Sequence, residues 1–388
     1  GEISCSNIVQ RVIDSEKNRN KIFDKPIDGC VFIHPNSNNS SKKDFLVGRP
    51  LERIKDLDEV PSPYLTAILD KFFDGKLTPF LETNRGCPFT CTFCHTGSDY
   101  YHKLNKFSEQ RVKEEINYIA DRASKWGITN LHMADVNFGM YPQDKQVCEW
   151  LLESKEKYGW PLQVMATTGK NSKKRVIEIT SILGSMFSVN MSLQSMDHQV
   201  LENIKRSNIK HEHMIEVNDH LRKEGRSTKS ELILPLPGET KDSFIRGLND
   251  VLNSDPSSIT IYTLMMLHGT EFKSPDYRTK FGYKGKYRIV PLNFGEYGGK
   301  RIFDYEEVGI ETKDLTFNDY LFLRGLALLV ESLYNGRPFS EFFRYAKIFG
   351  IELASLLNNI YENILNAPTE VQTVMSEFAK ETRGRIME

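Results

Sequence analysis

The chain reads FLETNRGCPFTCTFC over residues 80–94, and the interpretation of the whole sequence starts from this stretch. Its apolar start predicts a short strand over residues 80–84, and three cysteines follow directly at Cys87, Cys91 and Cys94. In folds of parallel strands, active sites lie on the loops that follow the carboxyl ends of strands. Three thiols on one such loop therefore predict a metal centre. The other three cysteines are scattered, at Cys5, Cys30 and Cys148.

Two kinds of metal centre are compatible with three thiolates on one loop. A structural zinc ion needs four ligands, and His95 is the nearest candidate for the fourth, although adjacent residues such as Cys94 and His95 rarely reach one tetrahedral ion. A 4Fe-4S cluster on three thiolates leaves one iron atom with an open coordination position, which catalysis uses. A simple electron-transfer cluster would need a fourth cysteine, for which Cys5 and Cys148 are poorly placed. A non-catalytic zinc- or iron-sulfur-binding protein with a structural metal is therefore the alternative to a catalytic cluster.

Outside the cysteine loop, strands and helices alternate from about residue 79 to residue 266. Helical spacing of apolar residues and period-2 apolar runs distinguish the two kinds of element. Parallel pairing through right-handed crossovers is the topology that this alternation favours. We predict an α/β fold with a partial (β/α)6 TIM-type barrel, an accessory segment and a C-terminal helical region, and the periodicity alone does not exclude an open doubly wound sheet. The six predicted strands span residues 80–84, 128–136, 162–167, 187–193, 231–236 and 259–266. The five predicted helices between them span residues 108–126, 142–158, 172–183, 213–223 and 241–252, with Ser108 as the cap of the first and Gly159 as the stop of the second.

The flanking regions differ in pattern from the alternating array. Residues 1–75 are predicted to be an irregular segment, with a polar loop over 36–43 and a short helix over 64–73. Residues 76–270 form the predicted barrel. Residues 271–388 are predicted to be an extended accessory segment followed by a helical region, with helices over residues 320–333, 339–349, 351–365 and 369–381.

Composition narrows the class of protein. The 388 residues include 39% hydrophobic and 27% charged residues, which suits a packed globular protein. Lys plus Arg is 51 and Asp plus Glu is 52, and this balance disfavours a general nucleic-acid binder. The sequence has no uncharged apolar run of about 18 residues and no signal peptide, so we expect a cytoplasmic protein without a membrane span. The chain begins Gly1-Glu2 and not with Met, which indicates a fragment or a trimmed chain.

The cysteine spacing resembles the Cys-x-x-x-Cys-x-aromatic-Cys motif of the radical S-adenosylmethionine (radical SAM) superfamily. The resemblance implies that Cys87, Cys91 and Cys94 hold a 4Fe-4S cluster and that Phe93 packs near the adenine. It also implies that the open iron binds S-adenosylmethionine. One electron then cleaves this cofactor to a 5'-deoxyadenosyl radical, which abstracts hydrogen from a substrate. The partial barrel of the family agrees with the strand count.

The resemblance extends to segments at the ends of later strands. It implies that Asp135 or Asn137 accepts a hydrogen bond from the methionyl amino group and that Arg206 pairs with the methionyl carboxylate. The family's Gly-Gly-Glu form is absent around Asp135. Residues 232–240 resemble the segment that flanks the adenine, with Pro235 where glycine is usual. The resemblance also implies that Ser192 and Gln194 contact the ribose of S-adenosylmethionine. It implies a further cofactor-binding position at Leu267, after the sixth predicted strand.

Residues 61–66 and 80–89 resemble the subgroup that carries an amino-terminal cobalamin-binding domain. That domain and its Asp-x-His-x-x-Gly motif are absent from this sequence. Cobalamin is therefore implied only if a missing amino-terminal domain exists, and cobalamin-dependent methyl transfer is a demoted option. The resemblance implies a small-molecule substrate, in natural-product or cell-surface sugar biosynthesis. It also implies a reducing partner such as flavodoxin or ferredoxin.

Overall fold

The computed structural model describes residues 1–33, 45–168, 173–187, 189–208 and 210–384. The polar run over residues 36–43 lies outside these ranges. The chain divides into two compact units, Gly1–Ser62 and Pro63–Glu388. The boundaries predicted at residues 75 and 270 remain predictions.

The first unit combines two helices with a two-stranded antiparallel sheet. Helix α1 spans Glu2–Asp14 and α2 spans Arg19–Ile22, while β1 is Val31–Ile33 and β2 is Phe45–Val47. Val31 pairs with Val47 in this sheet.

Parallel strands in sequence order form the centre of the second unit. Two three-stranded parallel sheets run in the orders β3-β6-β7 and β8-β9-β10, and a parallel bridge between Val164 and Phe187 joins them. The predicted α/β fold is confirmed, and the sheets do not close into a full barrel within the described residues. The strands are β3 Phe80–Leu81, β4 Asn84–Arg85, β5 Asn105–Lys106, β6 Asn130–Met133, β7 Gln163–Met165, β8 Val189–Gln194, β9 Thr228–Leu234 and β10 Ser258–Thr263. Short β4 and β5 pair antiparallel with each other.

Amphipathic helices cover one side of these strands. The Ser108 hydroxyl accepts a hydrogen bond from the Arg111 amide at 3.2 Å, which caps the helix that the sequence predicts there. Gly159 ends the next helix with φ +71°, as predicted. Helix α6 was not predicted. The helices are α3 Glu109–Lys125, α4 Gln143–Tyr158, α5 Lys173–Leu183, α6 His198–Asn203, α7 His211–Lys223 and α8 Lys241–Asn253.

Strand β9 displays the two faces of the sheet. Leu232 and Leu234 are buried in a hydrophobic cluster with residues of α8 such as Phe244. The alternate residues Lys229 and Glu231 are more exposed and point to the opposite face, because successive strand side chains alternate. The face away from the helices therefore carries two charged residues, Lys229 and Glu231, followed by the apolar Ile233.

The remainder of the chain is a helix, a long hairpin and a helical region. Helix α9 spans Pro275–Phe281, and β11 Lys284–Tyr297 pairs antiparallel with β12 Lys300–Glu311. The predicted helical region is confirmed. It comprises α10 Phe317–Leu329, which continues as a π-helical turn over Val330–Tyr334, and then α11 Ser340–Ile348, α12 Leu353–Glu362 and α13 Thr369–Gly384. In the described part of the chain, every helix is too short or too polar to cross a membrane.

The helix predicted over residues 64–73 is wrong. Only a 3-10 turn at Asp70–Phe72 forms there, and Ala67 has φ +60°, which is incompatible with a continuous α-helix. The Tyr64 hydroxyl instead donates to the Phe80 carbonyl at 2.8 Å and accepts from the Phe80 amide at 3.0 Å. Tyr64 thus anchors the start of β3, while Ile68 and Phe72 of the same segment are exposed and do not build a helix face.

Candidate functional site

The cysteine loop follows β3 and β4 and is fixed by backbone hydrogen bonds. The Cys87 amide donates to the Tyr101 carbonyl at 2.8 Å, and the Cys94 amide donates to the Cys91 carbonyl at 3.0 Å. The side chains of Cys87 and Cys91 are each 3% exposed, while Cys94 is half-buried. All three are free thiols. The loop therefore presents three unpaired thiols in a largely buried setting.

Two glycines allow the backbone to approach the loop closely. A Cβ atom at Gly97 would lie 2.3 Å from the Cys91 carbonyl oxygen. Gly86 has φ +134°, and a Cβ atom there would lie 2.4 Å from the Lys103 carbonyl oxygen. Because these contacts are with backbone atoms, larger residues would force the loop to move.

The three thiols are a donor set that fits a 4Fe-4S cluster. Such a cluster is bound by cysteine thiolates, and the loop supplies three free thiols, two of them buried. Among the residues that the structure describes, no group of three or more His, Cys, Asp or Glu side chains is already arranged around one metal position.

The segment between the cysteines is held by residues that follow β10, in the turn before α9 and in α9 itself. Phe93 packs edge-on against Phe272, with the ring centroids 6.3 Å apart. The Thr92 hydroxyl lies 3.1 Å from the Tyr277 hydroxyl, which in turn donates to the Asn203 carbonyl. Phe93 is thus positioned by α9 and the turn before it, beside the cysteines.

Asp135 is buried and fully engaged by the turn after β3. Its two carboxylate oxygens accept hydrogen bonds from the Thr83 hydroxyl at 2.6 Å, from the Thr83 amide at 3.1 Å and from the Asn84 side chain. Burial raises the pKa of Asp135 to about 7, although the Thr83 hydrogen bonds oppose the rise. Asp135 therefore fastens the strand end that precedes the cysteine loop.

Asn137 lies directly against the cysteine loop. Its side-chain Nδ2 donates to the Cys87 sulfur at 3.3 Å, and the residue is 1% exposed. Its Oδ1 is buried and has no hydrogen-bond partner among the described residues. Of the two residues that the sequence left open, Asn137 is the one with a free acceptor beside a cysteine.

Ser192 and Gln194 occupy the end of β8, as predicted. The Ser192 hydroxyl donates to Glu231 at 2.6 Å, and the Asn190 side chain donates to the same carboxylate at 2.7 Å. Gln194 is buried with φ +70°, and its Oε1 has no partner within the described chain. Glu231 and Asn190 were not predicted, although their polarity within predominantly apolar strands is a signal that the sequence contains.

Arg206 is brought to the cysteines from the loop after α6. Its side chain is 8% exposed and donates to the Ser192 carbonyl and, at 2.9 Å, to Asn208 Oδ1. Burial lowers the pKa of Arg206, while the nearby thiols of Cys91 and Cys94 oppose that change. The guanidinium therefore places a positive charge at the thiols.

Leu267 follows β10 on the same side of the sheet. Its carbonyl accepts hydrogen bonds from the Thr270 hydroxyl at 2.7 Å and from the Thr270 amide at 3.3 Å. Its side chain is 38% exposed. The residue thus begins the turn that leads to Phe272, the partner of Phe93.

A second pair of buried groups near the cysteines was missed by the sequence analysis. Asp144 accepts hydrogen bonds from the Gly139 amide at 2.8 Å and the Tyr141 amide at 2.9 Å, and burial raises its pKa to about 6. Burial also raises the pKa of Tyr141 to about 12, with the Cys87 thiolate as a second cause. The Tyr141 hydroxyl has no hydrogen-bond partner among the described residues. Buried polar atoms without partners thus cluster around Cys87.

Comparisons with known proteins identify a family and several relatives. A family model described as the Radical SAM superfamily matches residues 81–251. The 2-(S-pantetheinyl)-carbapenam-3-carboxylate methyltransferase of Streptantibioticus cattleyicolor is 31% identical over 302 residues, covering 74% of this chain and 43% of that protein. The cobalamin-dependent radical SAM methyltransferase TokK of Streptomyces tokunonensis is 31% identical over 249 residues, covering 62% of this chain and 36% of that protein. The chain spans about two fifths of the length of these relatives.

Solved structures share the fold at low sequence identity. The cobalamin-dependent S-adenosylmethionine radical enzyme OxsB, with aqua-cobalamin bound, superposes with a TM-score of 0.52 and 14% identity over 98% of this chain and 58% of its own. The radical S-adenosylmethionine methyltransferase TsrM from Kitasatospora setae superposes with a TM-score of 0.52 and 13% identity, over 75% of this chain and 55% of its own. With its three-cysteine loop at the first strand of a parallel array and the family model matched over residues 81–251, this chain belongs to the radical SAM superfamily.

Proposed function

We propose that the protein is a radical SAM enzyme that uses a 4Fe-4S cluster to cleave S-adenosylmethionine, and that its reaction is cobalamin-dependent methyl transfer to a small molecule. The observation that carries the first part is the loop with Cys87, Cys91 and Cys94, which presents three free, largely buried thiols after the first parallel strand. The second part rests on the two methyltransferase relatives.

The chain's own residues account for binding and orientation at this site. Cys87, Cys91 and Cys94 would hold a 4Fe-4S cluster through three thiolates, which would leave one coordination position open for S-adenosylmethionine. When bound and reduced, the cluster supplies the electron that cleaves the sulfonium of S-adenosylmethionine. Asn137 Oδ1 accepts a hydrogen bond from the methionyl amino group of S-adenosylmethionine. The Arg206 guanidinium attracts the methionyl carboxylate.

Further polar groups on the neighbouring strands β8 and β9 suit the sugar of the cofactor. Gln194 Oε1 is a buried acceptor without a partner in the described chain. The Ser192 hydroxyl donates a hydrogen bond to the Glu231 carboxylate at 2.6 Å, which fixes the orientation of the hydroxyl. The carboxylate can still accept a further hydrogen bond from a ribose hydroxyl. Phe93 offers an aromatic face near the cysteines.

The methyltransferase assignment goes beyond the site. Both relatives are methyltransferases, and TokK is described as cobalamin-dependent. The sequence contains no Asp-x-His-x-x-Gly motif, so we assign no residue of this chain to cobalamin binding. The substrate class proposed is a small natural-product intermediate. We also propose a cytoplasmic location, because all six cysteines are free thiols. The proposed cleavage needs an external electron, for which we propose flavodoxin or ferredoxin as the donor.

Anaerobic reconstitution tests the cluster and the cleavage reaction together. We expect about four irons per chain, an electron paramagnetic resonance (EPR) signal that changes when S-adenosylmethionine is added, and formation of 5'-deoxyadenosine. Replacing Cys87, Cys91 and Cys94 with alanine should abolish all three. Cys30→Ala, at a half-buried free thiol of the first unit, is the matched control and should behave as wild type. A wild-type protein that binds stoichiometric zinc and no iron would instead support the structural-metal alternative.

Methyl transfer is tested with cobalamin added to the reconstituted protein. We expect S-adenosylhomocysteine to appear when hydroxocobalamin is present and not when it is omitted, because donation of the methyl group leaves this product. Deuterated methyl groups on S-adenosylmethionine allow any methylated product to be followed by mass spectrometry. Formation of 5'-deoxyadenosine without S-adenosylhomocysteine, with and without cobalamin, would leave the radical SAM assignment intact and contradict methyl transfer.

A further inference from the structure

We infer that Asn137 is a positioning residue that sets the reduction potential of the cluster through an N–H···S hydrogen bond to Cys87. The inference rests on the cluster of the proposed function, but not on methyl transfer or on the identity of the substrate. Its starting point is the 3.3 Å separation between Asn137 Nδ2 and Cys87 Sγ.

The chemistry of the partner determines which way the Asn137 amide faces. A thiolate that ligates iron carries no proton and only accepts hydrogen bonds. The nitrogen of the amide must therefore face the sulfur, and its oxygen must face away from it. In the structure Nδ2 is the atom that contacts Cys87, in agreement with this requirement.

Burial makes this hydrogen bond effective. Asn137 is 1% exposed and Cys87 is 3% exposed, so bulk water does not compete for the sulfur. A hydrogen bond is electrostatically stronger in such a low-dielectric setting than at the surface. Cys91 is equally buried, but the side chain that approaches it is the charged Arg206.

The backbone around both residues holds the contact in place. The Asn137 carbonyl accepts from the Met140 amide at 3.1 Å, and the next amide, of Phe138, donates to the Thr167 carbonyl at 2.9 Å. The Phe138 side chain is fully buried. On the other side, the Cys87 amide is bonded to Tyr101. Neither partner is therefore free to drift from the other.

The far end of the same amide is open to a ligand. Asn137 Oδ1 is buried without a hydrogen-bond partner in the described chain. A donor that reaches Oδ1 would polarise the amide and strengthen the bond from Nδ2 to the sulfur. A single side chain thus couples occupation of the neighbouring position to the electronic state of the cluster.

The sign of the effect follows from charge. Reduction adds one negative charge to the cluster, part of which resides on its sulfur atoms. A hydrogen-bond donor stabilises that charge, so it raises the potential at which the cluster accepts an electron. Removal of the Asn137 donor should therefore make the cluster harder to reduce.

The test measures the midpoint potential of the reconstituted chain by EPR-monitored redox titration. Asn137→Ala removes the donor, and Asn137→Leu removes it while filling the space so that water does not replace it. We expect both variants to be reduced threefold to tenfold less favourably than wild type, where tenfold corresponds to about 59 mV for a one-electron couple. The shift of potential on adding S-adenosylmethionine should also shrink.

Asn218→Ala is the matched control. Asn218 is also 1% exposed, and its side chain donates to the Ser254 carbonyl at 2.7 Å and hydroxyl at 3.1 Å, without contact to a cysteine. It should lose stability but keep the wild-type potential. Loaded Asn137 variants with the wild-type potential would overturn the inference alone. Asn137 variants without iron, beside a loaded Asn218→Ala, would also overturn it, because Asn137 would then be needed for assembly. A wild-type chain without iron would overturn the proposed function as well.

Discussion

At the residue scale, buried carboxyl groups of the barrel act as acceptors that hold strand ends together. Asp135 and Glu239 are 2% and 1% exposed, and both accept hydrogen bonds from side-chain hydroxyls. The Glu239 carboxylate accepts hydrogen bonds from the Ser195 hydroxyl at 2.7 Å and from the Ser243 hydroxyl. Burial raises the pKa of both groups to about 7. Asp135, which the family resemblance offers as an acceptor for the cofactor, is thus engaged within the fold.

Glu239 makes stability depend on pH. Its pKa in the folded chain is about 7, above the value of about 4.3 for an unfolded glutamate. Between these values the native state binds more protons, so the free energy of unfolding falls as pH rises from about 4 to about 7. Glu239→Gln stays neutral, and its stability relative to wild type should rise over this interval by up to about 3 kcal/mol. Urea unfolding at pH 5 and pH 8 measures the difference.

The control for this prediction is a glutamate at the surface. Glu377 is exposed on α13, and Glu377→Gln should track the wild-type pH profile. A constant difference between Glu239→Gln and wild type at both pH values would contradict the prediction, since it would mean that Glu239 does not change ionisation between them.

At the element scale, the free edge of β10 is covered by groups from the end of the chain. The Ile259 amide donates to Asn335 Oδ1 at 2.9 Å, and Asn335 Nδ2 donates to the Ile259 carbonyl at 2.9 Å. Arg324 donates to the Ile261 carbonyl at 3.1 Å, and the Gly309 amide of β12 donates to the Leu264 carbonyl at 3.0 Å. Side chains and a hairpin strand thus satisfy an edge that a closed barrel would pair.

Asn335 contributes measurably to the stability of this strand edge. Asn335→Ala removes both hydrogen bonds to Ile259, a residue that is 1% exposed, and leaves its buried backbone groups without these partners. We expect a loss of about 1–3 kcal/mol in the free energy of unfolding. Chemical denaturation provides the measurement, and Asn366→Ala, at an exposed amide, is the control. Equal stabilities of the two variants would show that Asn335 does not stabilise the edge.

At the scale of the whole molecule, the second unit contains its own hydrophobic cores. Three clusters of buried residues lie among the strands, helices and hairpin, and their first member along the chain is Tyr64. The first unit ends at Ser62. The cysteine loop and the residues around it also belong to the second unit. Folding and cluster binding should therefore reside in residues 63–388.

A chain that starts at Pro63 tests this division. We expect it to unfold in one cooperative thermal transition and to bind as much iron per chain as the 388-residue protein, because its three cores are unchanged. Calorimetry and iron analysis after reconstitution are the measurements. A non-cooperative transition, or an iron content well below that of the longer chain, would mean that Gly1–Ser62 is required for the second unit.

The sequence by itself determined the parallel array and its cysteine loop. Strand and helix periodicities, the Ser108 cap and the Gly159 stop act within single elements, and the three cysteines lie within eight positions. Local patterns of this kind are readable because the physical cause and its effect are neighbours in the chain. The helix expected over residues 64–73 failed for the opposite reason, since Tyr64 bonds a strand 16 residues away.

The tertiary structure decided which of the candidate side chains are free to act. Asp135 meets Thr83 across 52 positions and Asn137 meets Cys87 across 50, so only the fold distinguishes the engaged acceptor from the open one. Ser192 and Glu231 are 39 positions apart, and Asn335 reaches Ile259 across 76. Hydrogen bonds over such distances depend on how strands and helices pack, and packing is a property of the whole chain that no single motif contains.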